Sequence, residues 1–413
     1  MELLYASCCG LDVHKQSVTA CLRWRDSEGR PQMQTRKFGT FTSQLEELAD
    51  WLLQHQVEQA AMESTGSYWR PVWNILERKQ VPLILANAQH IKNVPGRKTD
   101  VKDPEWISEL LQYGLIPRSF VPHQHMRDLR DLTRMRSKVV QDHTRVVNRI
   151  QAVLEDANIK LASVVSDILG VSSRAMLQGL MEGRGPGELA QLAQGKMRSK
   201  LELLEQALQG HFRPEHGFLL RRMLMQSRFL ENQEHALRRA IQNHLNEPER
   251  QAIALWDTIP GVNEPVAWTM AAEMGVEVTQ FPDANHLASW GAFCPGNKVS
   301  GGKRLSGRTR KGNPWLRAGM CEAAWAASRT RHSYLSALFR RLASRKGEKR
   351  AIIAVAHSML IIAYEMLRKN QPYRDLGENY LESLHPAKIA NRLVRRLEHM
   401  GYEVSIAPSE TRN

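Results

Sequence analysis

The sequence is poor in cysteine and aromatic residues, and it has no long uninterrupted apolar segment. Its five cysteines include no C-x-x-C pair, which argues against a disulfide framework and against a cysteine zinc site. Reduced thiols are typical of a cytoplasmic protein. The most apolar segment, residues 351–367, contains His357 and Glu365 and is shorter than the roughly 20 residues of a membrane span, so we expect a buried helix there. The first residues lack a basic n-region, so no signal peptide is expected.

Acidic residues are also in deficit. The 413 residues contain 57 Lys+Arg against 43 Asp+Glu, a formal net charge of +14. A balance of this size favours a polyanionic partner, and nucleic acid is the first candidate; the alternative is a protein that is merely basic. The length predicts two or three domains, since one hydrophobic core seldom grows to this size.

Four carboxylates stand out against this basic background. Asp12 lies in Gly-Leu-Asp-Val-His-Lys, Glu63 in Met-Glu-Ser-Thr-Gly, and Asp100 and Asp103 in Lys-Thr-Asp-Val-Lys-Asp. Each lies at the edge of a predicted strand or helix. Such a cluster can hold two Mg²⁺ ions about 4 Å apart against a phosphodiester. Singly, each acid also fits an ordinary role, such as an N-cap for Asp103 before Pro104; jointly they favour a metal site.

Residues 1–118 have the pattern of an α/β domain. Three strands are predicted at 5–13, 17–24 and 33–38, and a capping-box pattern beginning at Ser43 opens a helix. Strand, helix, strand and helix then alternate to about Pro104. The order βββαβαβα is that of a ribonuclease H-like (RuvC-like) fold.

Residues 119–250 are predicted to be a helical, coiled-coil or dimerisation region. A heptad seam with polar breaks at Arg136 and His143 runs from Leu129 to Ala157, and a second long helical stretch covers about 200–245. These two helices indicate either an antiparallel hairpin or a dimerising coiled coil. The sequence leaves both possibilities open, together with an ordinary helical bundle.

Residues 251–370 are predicted to be a mainly α-helical C-terminal domain, and residues 371–413 a basic tail. Ile259-Pro260-Gly261-Val262-Asn263 resembles the turn of a helix-hairpin-helix, whose backbone N–H groups can bind a phosphate. In the tail, a basic amphipathic helix is expected around 388–399 and a short strand at 402–406.

A glycine-rich cationic loop is the second chemical centre. Its seven basic residues, with no acid among them, are Lys298, Lys303, Arg304, Arg308, Arg310, Lys311 and Arg317. Arg130 and Arg134, on the first long helix, are further candidates for contact with a nucleic-acid backbone. A serine in the loop could act as a nucleophile, because cations favour its alkoxide. Composition does not separate Ser300 from Ser306, and it equally fits a loop that only grips phosphate.

The motifs around the four acids, together with the segment from Trp290 through Trp315, resemble the DEDD transposases of bacterial mobile elements, the insertion-sequence 110 family. The resemblance covers nearly the whole chain, with the motifs in order and at compatible spacing. Pro104, where a stronger helix former is expected, and Asn263, in place of a second glycine, depart from the family pattern.

The resemblance implies a recombinase guided by a bridge RNA. It assigns the metal-binding acids of a RuvC-like domain to Asp12, Glu63, Asp100 and Asp103, and the serine nucleophile to Ser300. The implied reaction is Mg²⁺-assisted serine attack on double-stranded DNA at element ends and target, through a phosphoserine. The implied partners are a structured guide RNA and further copies of the chain, as a dimer or tetramer that shares active sites.

Two other functions remain open from the residues themselves. One is a metal-dependent endonuclease of the Holliday-junction kind, which uses water and no serine. The other is a non-catalytic nucleic-acid scaffold whose acids are structural. A covalent protein–DNA adduct would distinguish the serine recombinase from the endonuclease and from the scaffold.

Overall fold

A computed structural model of the protein describes residues 3–64, 66–87, 91, 103–296, 298–301, 303–309, 312–384 and 386–406. For residues 298, 299, 304–306 and 388 it describes the backbone alone. Asp100, Arg310 and Lys311 therefore lie outside the described residues. The chain divides into two compact units, Met1–Gln124 and His125–Asn413, and each is described by itself.

The N-terminal unit contains one mixed six-stranded sheet. Its strands are β1 (Cys8–Val13), β2 (Ser17–Arg25), β3 (Pro31–Gly39), β4 (Gln59–Glu63), β5 (Leu83–Ala86) and β6 (Arg118–Ser119). Their order is β3-β2-β1-β4-β5-β6. The first three strands are antiparallel, β1, β4 and β5 are parallel, and β6 is antiparallel to β5. The predicted α/β succession is confirmed by these strands and by the helices α1 (Thr42–Gln54), α2 (Trp69–Arg78) and α3 (Asp103–Gln112).

Side chains of the central strands alternate between the two faces of the sheet, as the period of two requires. Cys9 and Leu11 of β1 pack into the core formed with α1 and α2. Cys8 packs on the opposite face, with the apolar residues of α3. Both faces of β1 are therefore buried, which explains its unbroken apolar run.

The start of α1 differs from the prediction. The helix begins at Thr42 rather than after Ser43, and Phe41 is its N-cap residue. The side-chain oxygen of Gln44 accepts a hydrogen bond from the Phe41 backbone N–H at 3.3 Å. The predicted capping box of Ser43 and Glu46 was wrong by two positions, because Gln44 satisfies the free N–H of Phe41 instead.

The C-terminal unit contains two long helices, α4 (Gln124–Asp156) and α9 (Pro214–His244). Shorter helices lie between them in the chain, and others follow the second. The shorter helices between them are α5 (Leu161–Val164), α6 (Val171–Met181), α7 (Pro186–Ala190) and α8 (Leu201–Leu208), with a 3₁₀ helix at Gly195–Lys200. Apolar residues of all these α-helices share one core, which includes Val146, Ile150 and Leu220.

The two long helices contact each other in antiparallel order within the chain. Arg136 Nη2 lies 2.7 Å from Glu234 Oε1, and His143 Nε2 lies 2.9 Å from Ser227 Oγ. Further along, Arg213 Nη2 donates to Asp156 Oδ2 at 3.1 Å. The polar breaks in the predicted seam thus have polar partners on the other helix. Of the three arrangements left open by the sequence, the structure shows an antiparallel pair within the chain, packed with the shorter helices in one core.

Most of the remaining helices form a second core around Trp256 and Trp268, which are almost completely buried. The helices that contribute to it are α10 (Glu247–Trp256), α11 (Glu264–Met274), α12 (Ala284–Trp290), α13 (Pro314–Ser328), α14 (Tyr334–Lys346) and α15 (Glu348–Lys369). Two further helices, α16 (Tyr380–Ser383) and α17 (Pro386–His399), follow them in the chain. A short hairpin of β7 (Lys298–Ser300) and β8 (Lys303–Ser306) precedes α13. The helices on both sides of this hairpin are thus part of one packed core.

The helix α15 is long and apolar enough to cross a membrane, but half of its most apolar window is buried inside the protein. Val355, Ala356 and Met359 on this helix are fully buried in the second core. The expectation of a buried helix at 351–367 is therefore confirmed. Residues 402–406 form no strand in the described part of the tail, so that prediction was wrong; apolar alternation alone does not make a strand without a pairing edge.

Candidate active site

Asp12 and Glu63 lie at neighbouring strand ends on the same face of the sheet. The parallel pairing of β1 and β4 ends at Leu11 with Met62, so Asp12 and Glu63 are the next residue of each strand. Cys8, four residues before Asp12, and Ala61, two residues before Glu63, pack in the core under α3. The period of two therefore places both carboxylates on the α3 face.

Asp103 is the first residue of α3, and Gly10 lets this helix lie directly on β1. A Cβ atom at Gly10 would lie 2.2 Å from the Pro104 carbonyl oxygen and 2.5 Å from the Ser108 nitrogen. Arg23 of β2 fixes the same helix, because its Nε donates to Ser108 Oγ at 3.0 Å. Glycine at position 10 is therefore required for a close approach that brings Asp103 towards Asp12.

The pKa of Asp12 reflects its burial and the charges around it. Burial raises the pKa of the Asp12 carboxyl above its ordinary value of 3.8. The Asp103 and Glu63 charges raise the pKa of Asp12 further, whereas His14 lowers it. His14 Nε2 lies 3.0 Å from Asp12 Oδ2. A half-buried carboxylate surrounded by like charge is stabilised by any cation that binds there.

The donor set fits a hard divalent cation, since Mg²⁺ prefers carboxylate oxygens and retains several waters. Among the residues that the structure describes, no group of three or more His, Cys, Asp or Glu side chains is close enough to hold a metal ion. Asp100, the fourth predicted acid, lies outside the described residues. Asp12, Glu63 and Asp103 are thus brought to one end of the sheet, and the full predicted set stays a prediction.

Ser300 lies exposed at the end of β7, next to the turn of the hairpin. It pairs with Lys303 across the antiparallel register, and Gly301 begins the turn with a φ of +54°. A positive φ is a conformation that glycine adopts without strain, which explains the Ser-Gly sequence at this point. Ser306 is at the other end of the hairpin, where its backbone pairs with Lys298. The two candidate serines therefore occupy different places: one at the turn and one at the base.

A buried acid secures the segment that follows the hairpin. The Glu273 side chain is fully buried, and Arg134 donates to both of its oxygens at 2.6 and 2.7 Å. Asn313 Nδ2 donates to Glu273 Oε2 at 2.6 Å, while Asn313 Oδ1 accepts from the backbone nitrogens of Trp315 and Leu316. Asn313 is therefore both the N-cap of α13 and a link to α11.

Three arginines predicted to contact nucleic acid have partners within the protein. Arg130 donates to the Ala272 and Glu273 carbonyl oxygens, both at 2.7 Å, and Arg134 holds the Glu273 carboxylate. Arg317 Nη1 donates to the Ala292 carbonyl and to Thr309 Oγ1, at 2.8 and 3.0 Å. These contacts give all three arginines a structural role, and their contact with nucleic acid stays a prediction.

The structure describes the side chains of two of the other predicted cations of the loop. Lys303 and Arg308 have exposed side chains. The side chains of Lys298 and Arg304 lie outside the described residues, as do Arg310 and Lys311 altogether. Lys303, opposite Ser300, is therefore the described cation whose position bears most directly on the serine.

The helix-hairpin-helix-like turn lies between α10 and α11. Gly261 has a φ of +86°, and a Cβ atom there would lie 2.3 Å from the Ala323 carbonyl oxygen, so this glycine packs closely on α13. Asn263 is extended, and its side chain accepts a hydrogen bond from the Val266 nitrogen. It therefore caps α11.

Sequence reasoning missed His14, Glu273 and Asn313 as members of these sites. Two of the three carried a signal. Glu273 is the only acid between Pro265 and Gly275, in an otherwise apolar helix, which indicates a buried acid with a partner. Asn313 directly precedes Pro314, the usual order of an N-cap and a first-turn proline. Nothing in the sequence alone indicated that these two residues meet.

Two parts of the chain match models of known protein families. Residues 9–159, which include all four predicted acids, match the DEDD transposases of the IS110 type, and residues 254–340, which include Ser300, match the transposase IS116/IS110/IS902 family. The transposase for insertion sequence element IS1111A of Coxiella burnetii (strain RSA 493 / Nine Mile phase I) is 23% identical over 299 residues, covering 71% of this chain and 73% of that protein. Because the two matched segments make up more than half of the chain and both represent one family, the protein belongs to the IS110 family of transposases.

Proposed function

We propose that this transposase cuts and rejoins DNA through a covalent intermediate on Ser300, with Mg²⁺ held by Asp12, Glu63, Asp100 and Asp103. The observation that carries the proposal is the position of Ser300, exposed beside a glycine turn and paired with Lys303. Directly opposite residues of an antiparallel pair have Cβ atoms roughly 4.5–5.5 Å apart. The lysine charge therefore favours the alkoxide of the serine and attracts a phosphate.

The chemistry is a phosphoryl transfer without net consumption of water. Ser300 Oγ forms a bond to phosphorus while the bond from phosphorus to the 3′ oxygen breaks, which leaves a 5′-phosphoserine and a free 3′-hydroxyl. The serine hydroxyl loses a proton and the 3′ oxygen gains one. Because the phosphoserine conserves the phosphodiester energy, attack by another 3′-hydroxyl restores Ser300 and completes strand exchange.

The carboxylates hold the metal and orient it. When bound, Mg²⁺ would polarise the phosphate oxygens and stabilise charge on the attacking and leaving oxygens. Metal dependence is typical of DEDD transposases. The raised pKa of Asp12 supports this role, because the carboxylate group is half-buried and repelled by Asp103 and Glu63.

The strand order supports a RuvC-like fold for the N-terminal unit. Three antiparallel strands are followed by two parallel ones, in the order β3-β2-β1-β4-β5, and the acids lie at the ends of β1 and β4. The predicted divisions at 118/119, 250/251 and 370/371 belong to the same proposal. The compact unit extends a few residues beyond the first of these, to Gln124, because β6 pairs with β5.

As a transposase the protein acts on DNA. We further propose that a structured bridge RNA selects the element ends and the target, and that the serine and the acids of one active site come from different protomers of a dimer or tetramer. The net charge of +14 suits a complex with both nucleic acids. The proposed location is the bacterial cytoplasm, with action at the nucleoid.

The second candidate is a metal-dependent endonuclease that uses water. It is favoured by the position of Asp12, Glu63 and Asp103 at one end of the N-terminal sheet, in a different unit from Ser300 and Ser306. The two candidates differ in one product, since only the serine mechanism leaves protein attached to DNA.

The test is an adduct assay with element-end DNA, guide RNA and Mg²⁺, resolved on a denaturing gel. We expect a protein–DNA adduct from the unaltered protein and from Ser306→Ala, and none from Ser300→Ala. Cleaved DNA without an adduct would establish the endonuclease instead. Loss of the adduct in Ser306→Ala and its retention in Ser300→Ala would transfer the role to Ser306.

A further inference from the structure

The C-terminal unit contains a cavity of about 240 Å³ between α4, α9, α11 and α13. Its wall includes Arg136, Arg238, Asn263, Trp315 and Gly319. The volume is that of about eight liquid water molecules at ~30 Å³ each. The cavity can therefore hold one planar ring system, and it is too small for a folded peptide segment.

Two guanidinium groups in this wall are fixed before any ligand arrives. Glu234 Oε1 lies 2.7 Å from Arg136 Nη2 and 2.6 Å from Arg238 Nε. Both guanidinium carbons lie 5.8 Å from the centre of the buried Trp268 ring. Two cations share one carboxylate, so this group of three carries a net positive charge.

Arg136 also has a hydrogen-bond donor without an acceptor. Its Nε is buried and has no hydrogen-bond partner among the described residues. Leaving a buried donor unsatisfied is costly, and native proteins usually provide an acceptor, a water or a ligand. The Arg136 guanidinium is therefore incompletely paired within the described part of the protein.

Trp315 supplies an aromatic wall. The Arg134 guanidinium carbon and the Lys138 ammonium lie 5.8 and 6.0 Å from the centre of its ring. Arg134 is itself fixed by the buried Glu273. The ring is held in place, so a planar ligand can stack with little loss of side-chain entropy.

We propose that this cavity binds a single unpaired nucleobase of a nucleic-acid strand. The aromatic wall suits a planar ring, and Arg136, Arg238 and Asn263 offer donors to the acceptor-bearing edge of a base. A phosphate fits less well, because Glu234 neutralises part of the positive charge and Glu322 is in the same wall. Trp315 is the second residue of α13, the helix that follows the serine hairpin, so the proposed base-binding cavity lies in the same unit as the proposed nucleophile.

Binding of a base in this cavity can be measured without the serine reaction, so its test is independent of the proposed chemistry. An extruded DNA base and an unpaired base of an RNA loop present the same chemistry, and both are available to a transposase guided by RNA. Enzymes that act on nucleic acid commonly bind a base taken out of its stack. The sugar of the strand that binds more tightly, deoxyribose or ribose, shows whether the base comes from DNA or from RNA.

The test compares four ten-nucleotide single strands: oligothymidylate, oligouridylate, and the abasic form of each. Base–aromatic stacking of about 1–3 kcal/mol corresponds to roughly tenfold or more in affinity. We expect the full-length protein to bind one of the base-bearing strands about tenfold more tightly than its abasic form. The strand with the larger ratio, DNA or RNA, is the natural ligand.

Gly319→Leu is the blocking variant. A Cβ atom at position 319 would lie 3.5 Å from Thr269 Cγ2, an ordinary contact, so the remaining side-chain atoms have to enter the cavity. Ala326→Leu adds a leucine to an exposed position of the same helix and is the matched control. We expect the ratio of affinities to fall towards one in Gly319→Leu and in Trp315→Ala, and to stay unchanged in Ala326→Leu.

Equal binding of base-bearing and abasic strands by the unaltered protein would overturn the proposal. So would a Gly319→Leu protein with an unchanged Tm that retains the full ratio. If Gly319→Leu lowers the Tm below that of Ala326→Leu by more than a few degrees, Trp315→Ala decides, because its ring is partly exposed and its removal leaves the cavity open.

Discussion

Asn313 donates a hydrogen bond to Glu273 across forty residues of sequence, at 2.6 Å, and so joins the segment after the serine hairpin to the buried helix α11. Arg134 holds the same carboxylate with two hydrogen bonds from α4. Three helices therefore meet at one fully buried acid. The exposed Ser300 turn is thereby attached to a rigid part of the C-terminal unit.

We expect Glu273→Ala to destabilise the C-terminal unit by about 3 kcal/mol or more, because breaking a buried pair leaves the Arg134 charge without its partner. Urea unfolding followed by circular dichroism measures this. Glu365→Gln, which alters a partly exposed pair with Arg368 on one helix, is the control and should change stability by less than about 1 kcal/mol. Equal effects of the two substitutions would contradict the structural role of Glu273.

The close approach of α3 to β1 predicts a strong effect of one methyl group. Gly10→Ala places a carbon against the Pro104 carbonyl and should cost about 1–3 kcal/mol, because the helix has to move. Since Asp103 begins that helix, the apparent affinity for Mg²⁺, measured as the metal-dependent rise in Tm, should also fall. Gly217→Ala, in helix α9 with its nearest neighbour 3.5 Å away, should not destabilise. A Gly10→Ala protein with unchanged stability and metal response would refute this account.

Asp12→Asn should increase stability without metal and abolish the gain from Mg²⁺. The pKa of Asp12 is raised in the folded protein, so the metal-free fold loses stability as pH rises from the ordinary value of 3.8 through the raised pKa. The asparagine variant lacks that loss. Adduct formation should fall at least about 10²-fold, the scale of one lost electrostatic contact to a transition state. The measurement is thermal unfolding between pH 4 and 8, with and without Mg²⁺. Equal responses of the unaltered protein and of Asp12→Asn would count against the metal site.

Lys303 and Arg317 should differ in how they affect DNA binding. Removing one phosphate contact reduces the slope of log affinity against log salt by about 1. We expect this for Lys303→Ala, whose side chain is exposed, and not for Arg317→Ala, whose guanidinium binds Ala292 and Thr309. Arg317→Ala should instead lower the Tm. Titrations at several salt concentrations decide; a reduced slope with an unchanged Tm for Arg317→Ala would restore its predicted role in DNA binding.

The sequence predicted those parts of the fold that local patterns determine. Apolar runs and turn residues located the strands, and the spacing from Leu129 to Ala157 located α4. The partner of that helix was not predictable, because Glu234 and Ser227 are distant in sequence and neither has a distinctive local pattern. Polar breaks at Arg136 and His143 indicated that a polar partner exists, but not which helix supplies it.

The candidate site shows the same division. Motif spacing and period-two alternation place Asp12 and Glu63 on one face, and both are readable from sequence. The sequence did not distinguish Ser300 from Ser306, since both lie in Ser-Gly pairs within a basic loop. The hairpin register separates them, because it places Ser300 at the turn. Likewise, the hydrogen bonds of Arg130 and Arg134 to α11 depend on tertiary packing, so the sequence of the basic helix did not reveal them.

The most direct measurement is the position of the phosphate in the trapped adduct. After nuclease digestion, trypsin cleaves at Lys298, Lys303, Arg304 and Arg308, so Ser300 is released in the peptide 299–303 and Ser306 in the peptide 305–308. Mass spectrometry should find the added nucleotide phosphate on Ser300 in peptide 299–303, only when Mg²⁺ was present. A phosphate on peptide 305–308, or DNA cleaved with neither peptide modified, would contradict the central claim.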